Sequence, residues 1–226
     1  MAVKSSHRKC GFFIGVLCAS FLFGIVFPRE AKAERRWFQG INQSLKYGTA
    51  VIIIDGEEKA RVPLNNSKFE VNVDIQEPAN VIQILLLDEE GNPHQRKVLS
   101  YKNSQNNTIT EISIRSSIAA ALSHYEPAKA YGLEYTANVD FDNLVAHIEV
   151  ICDILEELEL HSTLSQLELI DRLLAGESML AIFQDKLGSE TTNLVIRELK
   201  DVEGFPKEKD GNIDLNALSE LISHLK

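Results

Sequence analysis

The stretch "TAVIIIDGEEKARVPLNNSKFEVNVDI", Thr49 to Ile75, decides the fold. It opens on a β-branched run, Val51 to Ile54, and breaks at Asp55-Gly56, a pair that favours a tight hairpin turn. "KARVPL" follows, and Asn65-Asn66 marks a second turn. "KFEVNVDI" then alternates with period 2. Phe69, Val71, Val73 and Ile75 fall on one side, and Glu70, Asn72 and Asp74 on the other. A strand that faces a core on one side and water on the other reads this way.

The same grammar continues downstream. "ANVIQILLLD" (79–88) is a longer and more apolar strand, and Gly91, Asn92 and Pro93 supply the turn after it. "RKVLSY" and "TITEISI" are two further short strands around a polar loop at 102–107. Six or seven strands at about ten-residue spacing predict an antiparallel β-sandwich.

These residues carry a resemblance. Phe69, Val71 and Val73 match an F-x-V-x-V strand, Asn80, Ile82 and Ile84 a following N-x-I-x-V strand, and Asp88, Gly91 and Asn92 a closing D-x-x-G-N turn. In that order they resemble the bacterial Ig-like modules of secreted and cell-surface proteins, over roughly residues 45–115. Those modules carry Gly where Ala79 stands here. The resemblance implies a spacer or binding platform and no catalytic residues.

From residue 116 the period becomes 3.6. "SSIAAALSHY" starts a short helix with Ser116 or Ser117 as N-cap, ending before Pro127. The long stripe Phe141, Leu144, Val145, Ile148, Ile151, Cys152, Leu155 and Leu158 predicts the main helix, capped by Asp140 or Asp142. Thr163 and Gln166 stand at capping-box spacing before a helix that stops at Gly176. Further helices read from Ser178 to Gly188, from Ser189 to Gly204, and through Leu215, Leu218, Leu221, Ile222 and Leu225. The expected fold class is α+β: an Ig-like sandwich at 45–115, then a compact bundle of four to five helices at 116–226. The bundle either stands apart or packs on the sandwich as one unit.

The N-terminus speaks to destination. Lys4, Arg8 and Lys9 precede an uncharged apolar run, Gly11 to Phe27, and Ala31-Lys32-Ala33 offers small residues at the cleavage positions. This is the layout of a secretory signal peptide over 1–33, cut between Ala33 and Glu34. The alternative is an inner-membrane anchor formed by 11–27, and only then does the chain meet a membrane. Residues 34–44 read as a flexible segment leading into the sandwich. After cleavage 18 Lys and Arg face 32 Asp and Glu, a formal charge of −14. That balance argues against nucleic acid and anionic membranes as partners. One cysteine, Cys152, remains, so no internal disulfide forms.

No catalytic motif is present: no G-x-S-x-G, S-x-x-K, H-E-x-x-H, P-loop or G-x-G-x-x-G. His94, His124, His147, His161 and His224 include no i, i+4 pair, so no metal ligand set is expected, and nothing calls for a cofactor. Cys152 reads as a small buried hydrophobe, and Glu156, Glu157 and Glu159 as a solvated helix face. "KEKDGNIDLNALSELI" (207–222) imitates a calcium loop. With Gly211 at the sixth position, Glu208 and Asp210 fall at the third and fifth. The first position is then Pro206 and the twelfth Ala217, so the two strongest ligands are missing. Asp210-Gly211 reads as a turn and Asp214 as a helix N-cap. Trp37 and the cluster Tyr125, Tyr131 and Tyr135 are the candidate binding surface. The expectation is an exported, periplasmic or extracellular, non-enzymatic protein that binds or organises an envelope or extracellular protein. The alternative is a small carbohydrate- or peptide-acting enzyme with its site at the β/α junction.

Overall fold

Alternation places the strands, and the structure, a computed structural model, describes residues 33–76, 81–101, 109–123 and 138–226. β2 (Gly48–Ile54) and β3 (Glu57–Leu64) are joined at Asp55-Gly56, both with positive φ (48° and 86°). That geometry matches the twist of the flanking strands. β5 (Val81–Leu87) pairs with β2, and β6 (Pro93–Ser100) with β5, giving an antiparallel sheet in the order β3-β2-β5-β6. The second sheet has the order β4-β1-β7. In it β1 (Ala33–Ile41) runs antiparallel to β4 (Lys68–Gln76) and parallel to β7 (Ile109–Glu111).

The two sheets share one core. Phe38, Phe69, Val73 and Ile75 from the three-stranded sheet meet Ala50, Ile52, Ile54, Ile82, Ile84 and Leu86 from the other. Burying each large side chain contributes roughly 1.5–3 kcal/mol. This is the expected α+β architecture: two facing sheets, then helices.

Three expectations are corrected. Residues 34–44 are not a flexible segment, because 33–41 are β1, the middle strand of its sheet. The side of β1 that faces the core carries Arg36, Phe38 and Gly40 rather than a row of aliphatics. Arg36 is accommodated by stacking over Tyr101, its Cζ 3.8 Å from the ring centroid, while Nη1 donates to the Tyr101 carbonyl at 2.7 Å. Gly40 leaves room for the Phe69 ring, since a Cβ there would lie 2.0 Å from it. Secondly, "TITEISI" yields a strand of three residues only. Ser113 is already the N-cap of α1 (Ile114–Leu122), exchanging bonds with Ser116 in a capping box. Thirdly, the caps shift. Asn138, not Asp140 or Asp142, caps α2 (Val139–Glu157), and Ser165, not Thr163, caps α3 (Gln166–Ala175). In both, a short polar side chain reaches backbone N–H groups two or three residues on; Asp140 and Asp142 stand two and four places too late to do so, and Thr163 two places too early.

Other boundaries follow the sequence. Gly176 ends α3 in the left-handed conformation, and Ser178 caps α4 (Met179–Asp201). α4 is broken at Gly188 (φ 74°, ψ 168°), where one helix was expected to end and the next begin. α5 (Ala217–Leu225) closes the bundle. Phe141, Leu144, Ile148 and Ile151 of α2 pack with Ile118, Ile170, Phe183, Val195, Leu218 and Ile222 in one apolar core.

The free edge of β6 positions α1. Ser117 Oγ accepts from Arg96 N at 2.9 Å, and Ser116 Oγ donates to the Arg96 carbonyl at 2.7 Å. Neither serine is the N-cap itself; both satisfy the backbone of a sheet edge, Ser116 alongside its capping-box bond to Ser113. Val98 packs on Ala120, and the Arg96 guanidinium forks onto Asp171 of α3. The described residues of the sandwich and the bundle accordingly form one compact unit. Among them no helix is long and apolar enough to cross a membrane. The expected signal segment up to residue 32, including Ala31 and the run 11–27, lies outside the described residues.

Candidate functional site

The seam between sandwich and bundle is built from polar residues that loops deliver. Asn42, just after β1, is buried; its amide donates to Gln95 Oε1 at 2.5 Å and to the Ile112 carbonyl at 2.7 Å. Its Oδ1 accepts from Leu45 N at 2.5 Å and from Ser44 Oγ at 3.1 Å. Gln95 Nε2 donates to Ser44 Oγ at 3.1 Å and to Gln166 Oε1 at 2.9 Å, reaching the first turn of α3. Register explains this ladder. Gln95 sits opposite Leu86 on β5, on the side of β6 that faces the sandwich core, so its amide must find partners there.

His94 extends the ladder. It is 9% exposed, and its Nε2 lies 3.1 Å from Ser44 Oγ. Burial pushes its pKa down to about 4, with Asp88 opposing and His161 adding to the fall. The imidazole is therefore neutral at pH 7. A Ser–His contact is the start of a nucleophilic pair. Here the serine already accepts from Gln95 and has Asn42 Oδ1 as a competing acceptor.

Two clefts flank the ladder. One, of about 330 Å³, is lined by Asp88, Glu89, Glu90, His94, Glu156 and His161 among others. The second, of about 540 Å³, is lined by Glu111, Arg115, Asp142, Glu149 and Asp153 beside Asn42, Ser44 and Gln95. Arg115 bridges Asp142 at 2.6 Å. Burial, then the neighbouring Asp153, raises the Glu149 pKa. Glu156, read in the sequence as part of a solvated face, is exposed and also lines the smaller cleft. No group of three or more His, Cys, Asp or Glu among the described residues is arranged to hold a metal ion.

Trp37 lies on the outer face of the three-stranded sheet, 39% exposed. Ile109, 59% exposed, pairs with Gln39 on the adjacent β7, and Gln39 and Trp37 share that face of β1. Ile109 is thus a diagonal neighbour of Trp37. Tyr125, Tyr131 and Tyr135 lie outside the described residues. Glu34, on the far side of the expected cut, accepts from Tyr101 Oη at 2.7 Å.

The remaining residues weighed from the sequence are structural. Cys152 is buried, and burial raises its thiol pKa, the opposite of an activated nucleophile. His147 packs edge-on against Phe205, ring centroids 5.4 Å apart, and burial lowers its pKa. His224 Nδ1 lies 3.2 Å from Asp140. Asp210 makes a turn, its carboxylate accepting from Asn212 N at 3.0 Å and Nδ2 at 2.7 Å. Asp214 is not the N-cap of α5. Asn216 holds that position, and Asp214 Oδ1 accepts from its N–H at 3.0 Å in a turn one step upstream. Comparison with protein-family models, with curated proteins and with solved structures finds no match to this chain.

Proposed function

We propose that residues 34–226 are exported, after a cut between Ala33 and Glu34, as a non-enzymatic protein that binds another protein in the periplasm or outside the cell. The sandwich acts in this reading as an Ig-like platform. The observation that carries it is the pair Trp37 and Ile109. Two of the four large exposed hydrophobic side chains among the described residues stand side by side on one sheet face. Exposed aromatic and aliphatic side chains grouped on one face are a common mark of a docking surface. Export is supported by the signal-like order of residues 1–33 and by β1 starting at Ala33, where the signal would end. Retention by residues 11–27 would give the same platform a membrane tether.

The experiment is capture from the cell envelope with residues 34–226 bearing a photo-crosslinker at Gln39, between Trp37 and Ile109. A discrete cross-linked partner is expected, lost in Trp37→Ser/Ile109→Ser with the circular dichroism unchanged. Equal capture by the variant refutes the sheet face. The Ser44–His94 contact motivates a second reading, a carbohydrate or peptide hydrolase at the junction. Hydrolysis by the purified chain that vanishes in Ser44→Ala would replace the binding reading with that one.

A further inference from the structure

We infer that two copies of this chain pair along β4, edge to edge and antiparallel, and join their three-stranded sheets into one of six strands. A sheet edge carries unpaired backbone groups, and proteins blunt the edges they do not use. Three edges here are blunted. β6 is covered by α1, whose Ser116 and Ser117 bond its backbone. β7 has only three residues. β3 carries Pro63, and a bulge at Lys59 breaks its register with β2. β4 has neither a proline nor a bulge. It runs nine residues in unbroken register with β1, and among the described residues no strand lies beyond it.

The backbone shows which groups that edge offers. Asn42 N donates to the Ser67 carbonyl at 2.9 Å, so these two opposed residues are a bonded pair. In an antiparallel ladder such pairs recur at every second residue. Phe69, Val71, Val73 and Ile75 therefore bond to β1, and the residues between them turn N–H and C=O outward. Lys68 agrees, since its N–H and its carbonyl both bond Asn65 of the preceding turn. That turn occupies the edge at Lys68. Past it, Glu70, Asn72, Asp74 and Gln76 present a row of donors and acceptors.

The side chains on this row select a second copy as the occupant. Glu70, Asn72 and Asp74 are exposed. Two copies related by a two-fold axis must meet in a self-complementary register. An axis at Val71 sets Asp74 against Lys68, where the turn stands. An axis at Asn72 sets Glu70 against Asp74, two like charges in direct opposition. An axis at Val73 sets Asn72 against Asp74 and Glu70 against Gln76. Each carboxylate then meets an amide, and all four outward residues of both copies exchange backbone bonds. Asp74 keeps Arg35 on its other side, at 3.0 Å. Val71, half-buried at the border of the sandwich core, comes opposite Ile75 of the second copy. Pairing consumes the edge of both copies, so growth stops at a dimer. The strand order becomes β7-β1-β4-β4-β1-β7, which leaves both Trp37 and Ile109 faces open on one surface. The inference goes beyond the proposed function and does not depend on it.

The test is sedimentation equilibrium of residues 34–226 at concentrations from about 1 to about 100 µM. The mass is expected to rise from that of one chain to that of two. Asn72→Asp opposes like charges twice, once on each side of the axis, and is expected to weaken the dimer about ten-fold. Asn72→Asp/Asp74→Asn exchanges the two side chains and restores acid opposite amide. It is expected to return the affinity to within about three-fold of the natural chain. Both positions are exposed, so circular dichroism should not change. A single-chain mass at every concentration overturns the inference. So does a dimer indifferent to Asn72→Asp, or one that the exchange fails to restore. Trp37→Ser/Ile109→Ser should leave the dimer intact. A dimer lost with that pair is a contact between sheet faces, and edge pairing is refuted.

Discussion

Acid should loosen the seam before it loosens either core, and His94 is the reason. Its ordinary pKa of 6.5 falls to about 4 in the folded chain, because burial beside Ser44 disfavours the imidazolium. A group whose folded pKa is depressed binds more protons when unfolded. Its contribution is therefore fully present above pH 6.5 and is lost as pH falls toward 4. The whole effect, about 2.5 pH units, corresponds to roughly 3 kcal/mol, and the part spent between pH 7.5 and pH 5.0 to about 2 kcal/mol. Asp88, Glu89, Glu90, Glu156 and His161 line the same cleft. The comparison is urea unfolding of residues 34–226 at pH 7.5 and 5.0, followed by far-ultraviolet circular dichroism. His94→Gln, whose amide replaces Nε2 toward Ser44 without titrating, serves as the reference. The natural chain should lose about 2 kcal/mol more than His94→Gln over this range. Equal losses would show that the seam does not exclude the imidazolium, and the reasoning from burial would fail.

Two further outcomes follow from the packing. Ser117→Ala removes the hydroxyl that accepts from Arg96 N and should cost about 1–3 kcal/mol in urea unfolding, because a buried backbone donor loses its acceptor. Gly40→Ala drives a methyl into the Phe69 ring and should destabilise by about 1–3 kcal/mol, with Phe69→Leu in the same chain recovering part of the loss.

The sequence exposes β2 to β5 because their side chains alternate as the pleat requires, and Asp55-Gly56 can only turn. It hides β1 because the core-facing side of that strand is Arg36, Phe38 and Gly40. A charge that stacks on Tyr101 and a glycine that admits Phe69 carry no apolar period. Helix existence is legible from the stripes, while caps slip by a few residues wherever several Ser, Asn and Asp compete. Ser116 and Ser117 illustrate the difficulty. Their hydroxyls face a sheet edge that only the tertiary fold places beside them. The seam is the least legible part. Asn42, Ser44, His94, Gln95 and Gln166 come from segments far apart in the chain and match no spacing motif. One local signal existed: Gln95 sits in a strand at a position whose register requires an inward side chain. A polar residue there asks for a buried partner, and Asn42 and Gln166 are the answer.

That seam also sets an order of events for the growing chain. The Asn42 to Ile112 bond spans 70 residues and the Gln95 to Gln166 bond 71. β1, the earliest described strand, meets β4 about 35 residues later, and its other neighbour, β7, about 70 residues later. Contacts of such high sequence separation form late and slowly, because the loop entropy is spent before they return anything. The first strand therefore waits for β4 and then β7, and the Gln95 to Gln166 bond waits further for the first turn of α3. Folding of this chain is a closure of its beginning against its middle, and a truncation anywhere before Gln166 leaves the seam open.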